Sequence, residues 1–169
     1  MNTDRRPPRV LSPWQAKWML NLYPPLLFNR IRILGFDHGF RSCRVRVARS
    51  LLTRNLNGTT FGGTIFSAAD PFYAVMFWQI FAHRGERVQA WLRTATIRYQ
   101  RPAASALTLD FRLSDADVDE ATEQLDREGR FVRSFHTAAV DHNEEVCAEI
   151  ETEVYLRRPR GDQPEVSAF

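Results

Sequence analysis

The chain has 169 residues, 44% apolar and 25% charged, which is enough for one well-buried domain and too few for two. Its net charge of +3 sits at the two ends, where Arg5, Arg6 and Arg9, and then Arg157, Arg158 and Arg160, outnumber the local acids. The stretch between is neutral, so a basic nucleic-acid face is excluded.

Residues 1–11 are polar and proline-rich and are expected to form a disordered tail. Ser12-Pro13 then suits an N-cap followed by the first helical position. Trp14, Trp18 and Leu22, with Ala16 and Leu20, make an apolar stripe that ends before Pro24 and Pro25. Lys17 is the only cation of this helix, which favours packing on the body of the protein over binding a membrane surface. Residues 31–36 and 43–48 follow as paired strands around a turn at Asp37, His38 and Gly39. In the second, Cys43, Val45 and Val47 alternate with Arg44 and Arg46, the period of a sheet with one wet face.

The stretch from Asn55 to Ala82 differs from everything around it. After Asn-Gly and Gly-Gly turn signals comes a run from Ile65 to Phe81 that is apolar on every side of a helix, and such a helix must be enclosed. Asp70 interrupts it, followed by Pro71, which removes a backbone donor so that the helix bends or opens there. Asp70 is a functional carboxylate with a raised pKa, a satisfied internal polar group, or a cap on a second helix beginning at Pro71.

Alternation returns over 88–100 and 107–113. A short acidic helix is expected over 114–129, with Ser114 or Asp115 as its cap and Gly129 as its terminator. Two last strands, 131–140 and 145–156, precede a polar tail over 159–169. The order implies a single α+β domain over 12–158, an antiparallel sheet wrapped around a long central helix with an extra helix in front. Cys43 and Cys147 fall inside strand-like runs and make no disulfide framework, although a single bond between them stays open. With no leader ahead of the domain, a reducing cytoplasm is expected.

Asp115, Asp117 and Asp119 alternate like calcium ligands, but that loop needs glycine sixth and glutamate twelfth, where Glu120 and Asp126 stand. His38, His83, His136 and His142 have no metal-ligand spacing with the cysteines, and neither a nucleophile elbow nor a phosphate loop is present. No metal or cofactor is therefore expected. What remains is Asn55, Gly62, Gly63 and Asp70. A helix starting near Gly62 offers free N–H groups and a positive pole to a carbonyl oxygen. Asp70 lies roughly 12 Å further along at 1.5 Å per residue, too far to act on the same carbonyl within one chain. A two-fold partner with its helix laid alongside, antiparallel, would close that gap.

The pattern Asn55-x6-Gly62-Gly63-x6-Asp70, with this strand order, resembles hotdog-fold thioesterases of the phenylacetate-degradation (PaaI-like) type. FGGTIFSAADPFYAVMF, the acidic helix after LTLDFRLSDADV and the ending ETEVYLRRP are more closely similar to the DUF4442 branch of that superfamily. The resemblance implies a homodimeric or homotetrameric acyl-CoA thioesterase with sites shared across an interface. In it Gly62 or Gly63 would present the backbone donor, Asp70 would be base or nucleophile, and Asn55 would position water or the carboxylate. Phe61 stands where the PaaI-like enzymes usually have histidine, which motivates an alternative, a non-hydrolytic protein that binds acyl-CoA or fatty acid. Phe61 would then line the substrate site, with Arg98 and Arg101 as candidates for the CoA phosphates. No membrane or nucleic-acid partner is expected.

Overall fold

The computed structural model describes residues 7–159; the two tails predicted from sequence lie largely outside them. Eleven elements follow in order: α1 (Pro13–Leu22), α2 (Pro24–Phe28), β1 (Ile31–Phe36), β2 (Ser42–Val47), α3 (Gly62–Ala69), α4 (Phe72–His83), β3 (Gln89–Tyr99), β4 (Leu107–Arg112), α5 (Asp115–Glu128), β5 (Arg130–Val140) and β6 (Val146–Arg157). The six strands form one antiparallel sheet in the order β1-β2-β4-β5-β6-β3, with α4 packed against β2, β3, β4 and β6.

Period-two alternation decides which side of the sheet is dry. Cys43, Val45 and Val47 of β2 sit opposite Phe111, Leu109 and Leu107 of β4, and all six are buried. Their inward face receives α4, whose Phe72 and Tyr73 lie 5.0 and 5.2 Å from Phe111, ring centre to ring centre. Tyr73 also stacks on Phe135 at 4.8 Å. The sheet parts between β4 and β5, which share only the pairs Thr108↔Val140 and Leu109↔Ala139. Beyond that point the Tyr73 hydroxyl donates to the His136 carbonyl, 2.8 Å, so a backbone acceptor freed by the divergence keeps a partner. Burial pushes the Tyr73 pKa up to about 12, so it remains a neutral structural donor.

The central apolar run is two helices. Asp70 and Pro71 separate α3 from α4 because proline supplies no N–H to the preceding turn, and the next turn restarts with the Val75 N–H donating to the Pro71 carbonyl, 2.9 Å. Gly62–His83 is long and apolar enough to cross a membrane by composition, yet 67% of its most apolar window is buried inside the fold. Enclosure is more nearly complete for α4, where Ala74 and Trp78 are half-buried and His83 is exposed, than for α3, where Phe66 is exposed. At α5 the cap is Ser114, in a reciprocal box with Asp117, and Gly129 closes the helix at φ 71°. Both cysteines are buried free thiols.

Three expectations at the N-terminal end are corrected. Ser12 does cap α1, in a box with Gln15, but the chain is already seated before it. Leu11 is buried, its N–H donates to Gln79 Oε1 at 2.8 Å, Gln79 Nε2 donates to the Arg9 carbonyl at 3.2 Å, and His83 Nε2 donates to the Leu11 carbonyl at 2.9 Å. The buried amide of α4 thus clasps residues 9–11. Pro24 and Pro25 end α1 as expected but also begin α2, because proline is preorganised for a first helical turn. Ala16 and Leu20 face the core, whereas Trp14, Trp18 and Leu22 point outward, so the aromatic stripe is not packed on the body. Small Ala16 allows α1 to approach β1 in a way that an inward tryptophan would not.

The two edges of the sheet are finished differently. At β1, Asn21 imitates a neighbouring strand: its Nδ2 donates to the Ile33 carbonyl at 3.1 Å and its Oδ1 accepts from the Ile33 N–H at 2.9 Å. At the other edge β3 runs for 11 residues with no side chain buried and no strand beyond it among the described residues.

Candidate active site

The loop from β2 into α3 is pinned at its base. Thr53, fully buried, donates its hydroxyl to the Ala48 carbonyl, 3.0 Å, and its own carbonyl accepts from the Phe61 N–H, 2.7 Å. Asn55 closes the tip of this loop, its Oδ1 accepting from the N–H groups of Asn57 and Thr59 at 3.0 and 3.1 Å and its Nδ2 donating to Thr59 Oγ1 at 2.9 Å. Both ends of the Asn55 amide are therefore engaged within its own loop.

Phe61 is the N-cap of α3 and offers no side-chain acceptor, so the first-turn N–H groups of Gly62 and Gly63 have no partner inside the helix. Each glycine is closely approached by an exposed aromatic side chain. A Cβ on Gly62 would lie 2.6 Å from the Tyr99 hydroxyl, and one on Gly63 would lie 2.4 Å from the Phe61 ring. Sequence reasoning did not find Tyr99. It ends β3 as an exposed aromatic, and only the strand register brings its hydroxyl over the amide end of α3.

Asp70 lies at the opposite end of α3. It does not cap α4, which has no side-chain cap, and its carboxyl has no hydrogen bond or ion pair among the described residues. Desolvation by its surroundings raises its pKa above the ordinary carboxylate value. In the single chain Asp70 is nonetheless exposed. The two facts are compatible because the carboxyl opens into a cavity of about 610 Å³, reachable by water but walled largely by apolar groups. Phe66, Ser67, Ala74, Val75 and Trp78 come to that cavity from the helices, Trp91 and Leu92 from β3, and Tyr23, Pro25 and Leu26 from the N-terminal helices, with Pro8 and Arg9 also on the wall.

Of the site residues predicted from sequence, the structure brings Asp70 alone to this cavity. Gly62, Gly63 and Phe61 gather at the far end of α3, eight residues or roughly 12 Å away. Arg98 is exposed on β3 opposite Glu149, and Arg101 forms an ion pair with Glu145. Among the aromatics of the central run, Phe66 and Trp78 line the cavity while Phe72, Tyr73 and Phe77 are core. No three His, Cys, Asp or Glu side chains converge as a metal site among the described residues.

Residues 13–156 match the family described as Domain of unknown function (DUF4442). No curated protein matches the sequence. Among solved structures, a Pseudomonas aeruginosa protein of unknown function, described as a probable thioesterase, is 20% identical with a TM-score of 0.79, covering 90% of this chain and 99% of that one. The Escherichia coli PaaI protein from the phenylacetic acid degradation operon is 19% identical with a TM-score of 0.58, covering 88% and 94%. A Streptococcus mutans protein solved with acetyl CoA is 16% identical with a TM-score of 0.55, covering 77% and 90%. At these identities the likeness establishes the fold, which is the hotdog.

Proposed function

The chain belongs to the DUF4442 family of hotdog-fold proteins, and from that premise we propose that it is a cytoplasmic acyl-CoA thioesterase whose site is completed by a second copy of the chain. The observation that carries this reading is the Asp70 carboxyl, desolvated and without a partner among the described residues, in a cavity suited to an acyl chain. A desolvated carboxylate costs stability, and such costs concentrate where chemistry needs them. The acetyl CoA held by the Streptococcus mutans neighbour supports the choice of thioester.

Distance and the bare edge support the shared site. One α3 cannot bring its own Asp70 and its own Gly62 to one carbonyl, and β3 is long, open and without a buried residue, which isolated chains avoid. Two copies joined antiparallel along β3 would set Asp70 of one protomer against the partner's glycines. The thioester oxygen then accepts from the N–H of Gly62 or Gly63, with the Tyr99 hydroxyl beside it. Asp70 takes a proton from water, the hydroxide attacks the carbonyl carbon, the carbon–sulfur bond breaks and the departing thiolate takes the proton from Asp70. Direct attack by Asp70, followed by hydrolysis of the anhydride, balances equally. Asn55 holds the loop that delivers Gly62, and Arg98 is the cation we assign to the CoA phosphates ahead of Arg101, which Glu145 already engages.

A panel of acyl-CoAs assayed for free thiol tests this. Wild type is expected to turn over, and Asp70→Asn to lose about 10² to 10⁴ in rate. Undiminished turnover in that variant, or none in wild type, overturns the proposal. The second reading, a non-hydrolytic acyl-CoA-binding protein, is favoured by Phe61, whose ring rests on Gly63 and cannot donate a hydrogen bond. Saturable binding of intact acyl-CoA without thiol release would establish it.

A further inference from the structure

We propose that the outward face of α1 and α2, with the exposed end of β1, is an attachment surface for an anionic lipid bilayer. Six large apolar side chains stand on it. Trp14, Trp18 and Leu22, four residues apart, form one line along α1, 68%, 46% and 66% exposed, and Leu27 and Phe28 on the adjoining α2 and Leu34 on β1 are exposed as well. The two tryptophans pack edge to face at 6.4 Å. Tryptophan is the residue best suited to the headgroup boundary, with an apolar body and one donor.

Charge selects the occupant. Between Pro7 and Phe36 the sequence has four cationic residues, Arg9, Lys17, Arg30 and Arg32, and no acidic one. Arg30 and Arg32 are exposed beside the apolar line, and the register sets Arg32 opposite Arg46, also exposed. A second copy of the same face would bring cation against cation around a two-fold axis. An anionic bilayer meets the same charge with phosphate and accepts a row of tryptophan and leucine on a convex helix without needing a matching groove. Lys17 alone is too little charge for α1 by itself; the fold supplies the rest by placing β1 alongside.

The surface adjoins the proposed catalytic cavity, since Tyr23, Pro25 and Leu26 of the same segment line the chamber that holds Asp70. Resting on the thioesterase reading, this adjacency assigns the substrate class: an acyl thioester whose chain is long enough to partition into a bilayer. The attachment itself does not depend on that reading.

Sedimentation with vesicles tests it, using phosphatidylcholine with and without phosphatidylglycerol at low and high salt. Wild type and Asp70→Asn are both expected to pellet with the anionic vesicles only, and to be released by salt. Arg30→Gln with Arg32→Gln should weaken binding roughly fivefold for each charge removed. Trp14→Ser with Trp18→Ser should abolish it while the melting temperature stays at the wild-type value. Equal binding to neutral vesicles, no binding to either, or a concentration-dependent doubling of mass in the absence of vesicles that those tryptophan changes remove, would overturn the proposal.

Discussion

Asp70 works against the stability of the chain that holds it. Its pKa is raised in the folded state, so the folded form binds the proton more tightly than the unfolded form does. Below the unfolded value, about 3.9, both states are protonated and there is no penalty. As pH rises from there through the raised folded value, ionisation increasingly favours unfolding, and above it the full penalty is present. Asp70→Asn is therefore expected to melt higher than wild type at pH 7 and to converge with it in acid, as thermal melts at the two pH values will show. The acid limb of the rate profile should likewise lie above the ordinary carboxylate range. Gly62 offers the opposite separation. Alanine there displaces the Tyr99 ring, while its better helix propensity returns up to about 1 kcal/mol, so the melting temperature should scarcely move. On the proposed mechanism thiol release should fall by at least about tenfold, because the added methyl and the displaced hydroxyl both disturb the end of α3 proposed to hold the thioester oxygen.

At the scale of elements, the contrast between the two sheet edges is the informative feature. Asn21 satisfies both outward groups of Ile33 from a neighbouring helix, which removes β1 as a pairing template. Asn21→Ala should destabilise by about 1–3 kcal/mol in denaturant titration, since a strand N–H and carbonyl lose their partners in a part-buried place. Most elements were legible in the sequence because their signals are local: the alternation of β2 and β4, the Ser114 box and Gly129 of α5, the Asp70-Pro71 break. The side of α1 that packs was not. Ala16 with Leu20 and Trp14 with Trp18 are both apolar lines, and only the closeness of β1 decides that the smaller pair goes inside. Nor was the seating of residues 9–11, because a lone Gln79 in an apolar helix does not announce which backbone it will bond. Asp70 stood out as the one acid in an apolar run, whereas Tyr99 and the far wall of the cavity depend on contacts between residues distant in the chain.

For the whole molecule, the chain presents two faces that an isolated hotdog leaves unfinished, at opposite edges of its sheet. The β3 edge is assigned to a second copy and the α1 side to lipid, so the two do not compete. Sedimentation equilibrium without vesicles is expected to give twice or four times the 19.6 kDa chain mass. A species of 19.6 kDa at all concentrations would leave Asp70 without its opposing amides and would remove the shared-site mechanism.

The clasp of Gln79 and His83 on residues 9–11 has a consequence for how this molecule can diverge. Pro8 and Arg9 wall the chamber from outside the sheet and the central helix, held there by a few bonds to α4. The room offered to a guest is thus set in part by Pro8 and Arg9, two residues ahead of the buried Leu11, where bulkier side chains leave the folding core untouched. On the proposed thioesterase reading, substitution at these two positions alone would trade one acyl length for another.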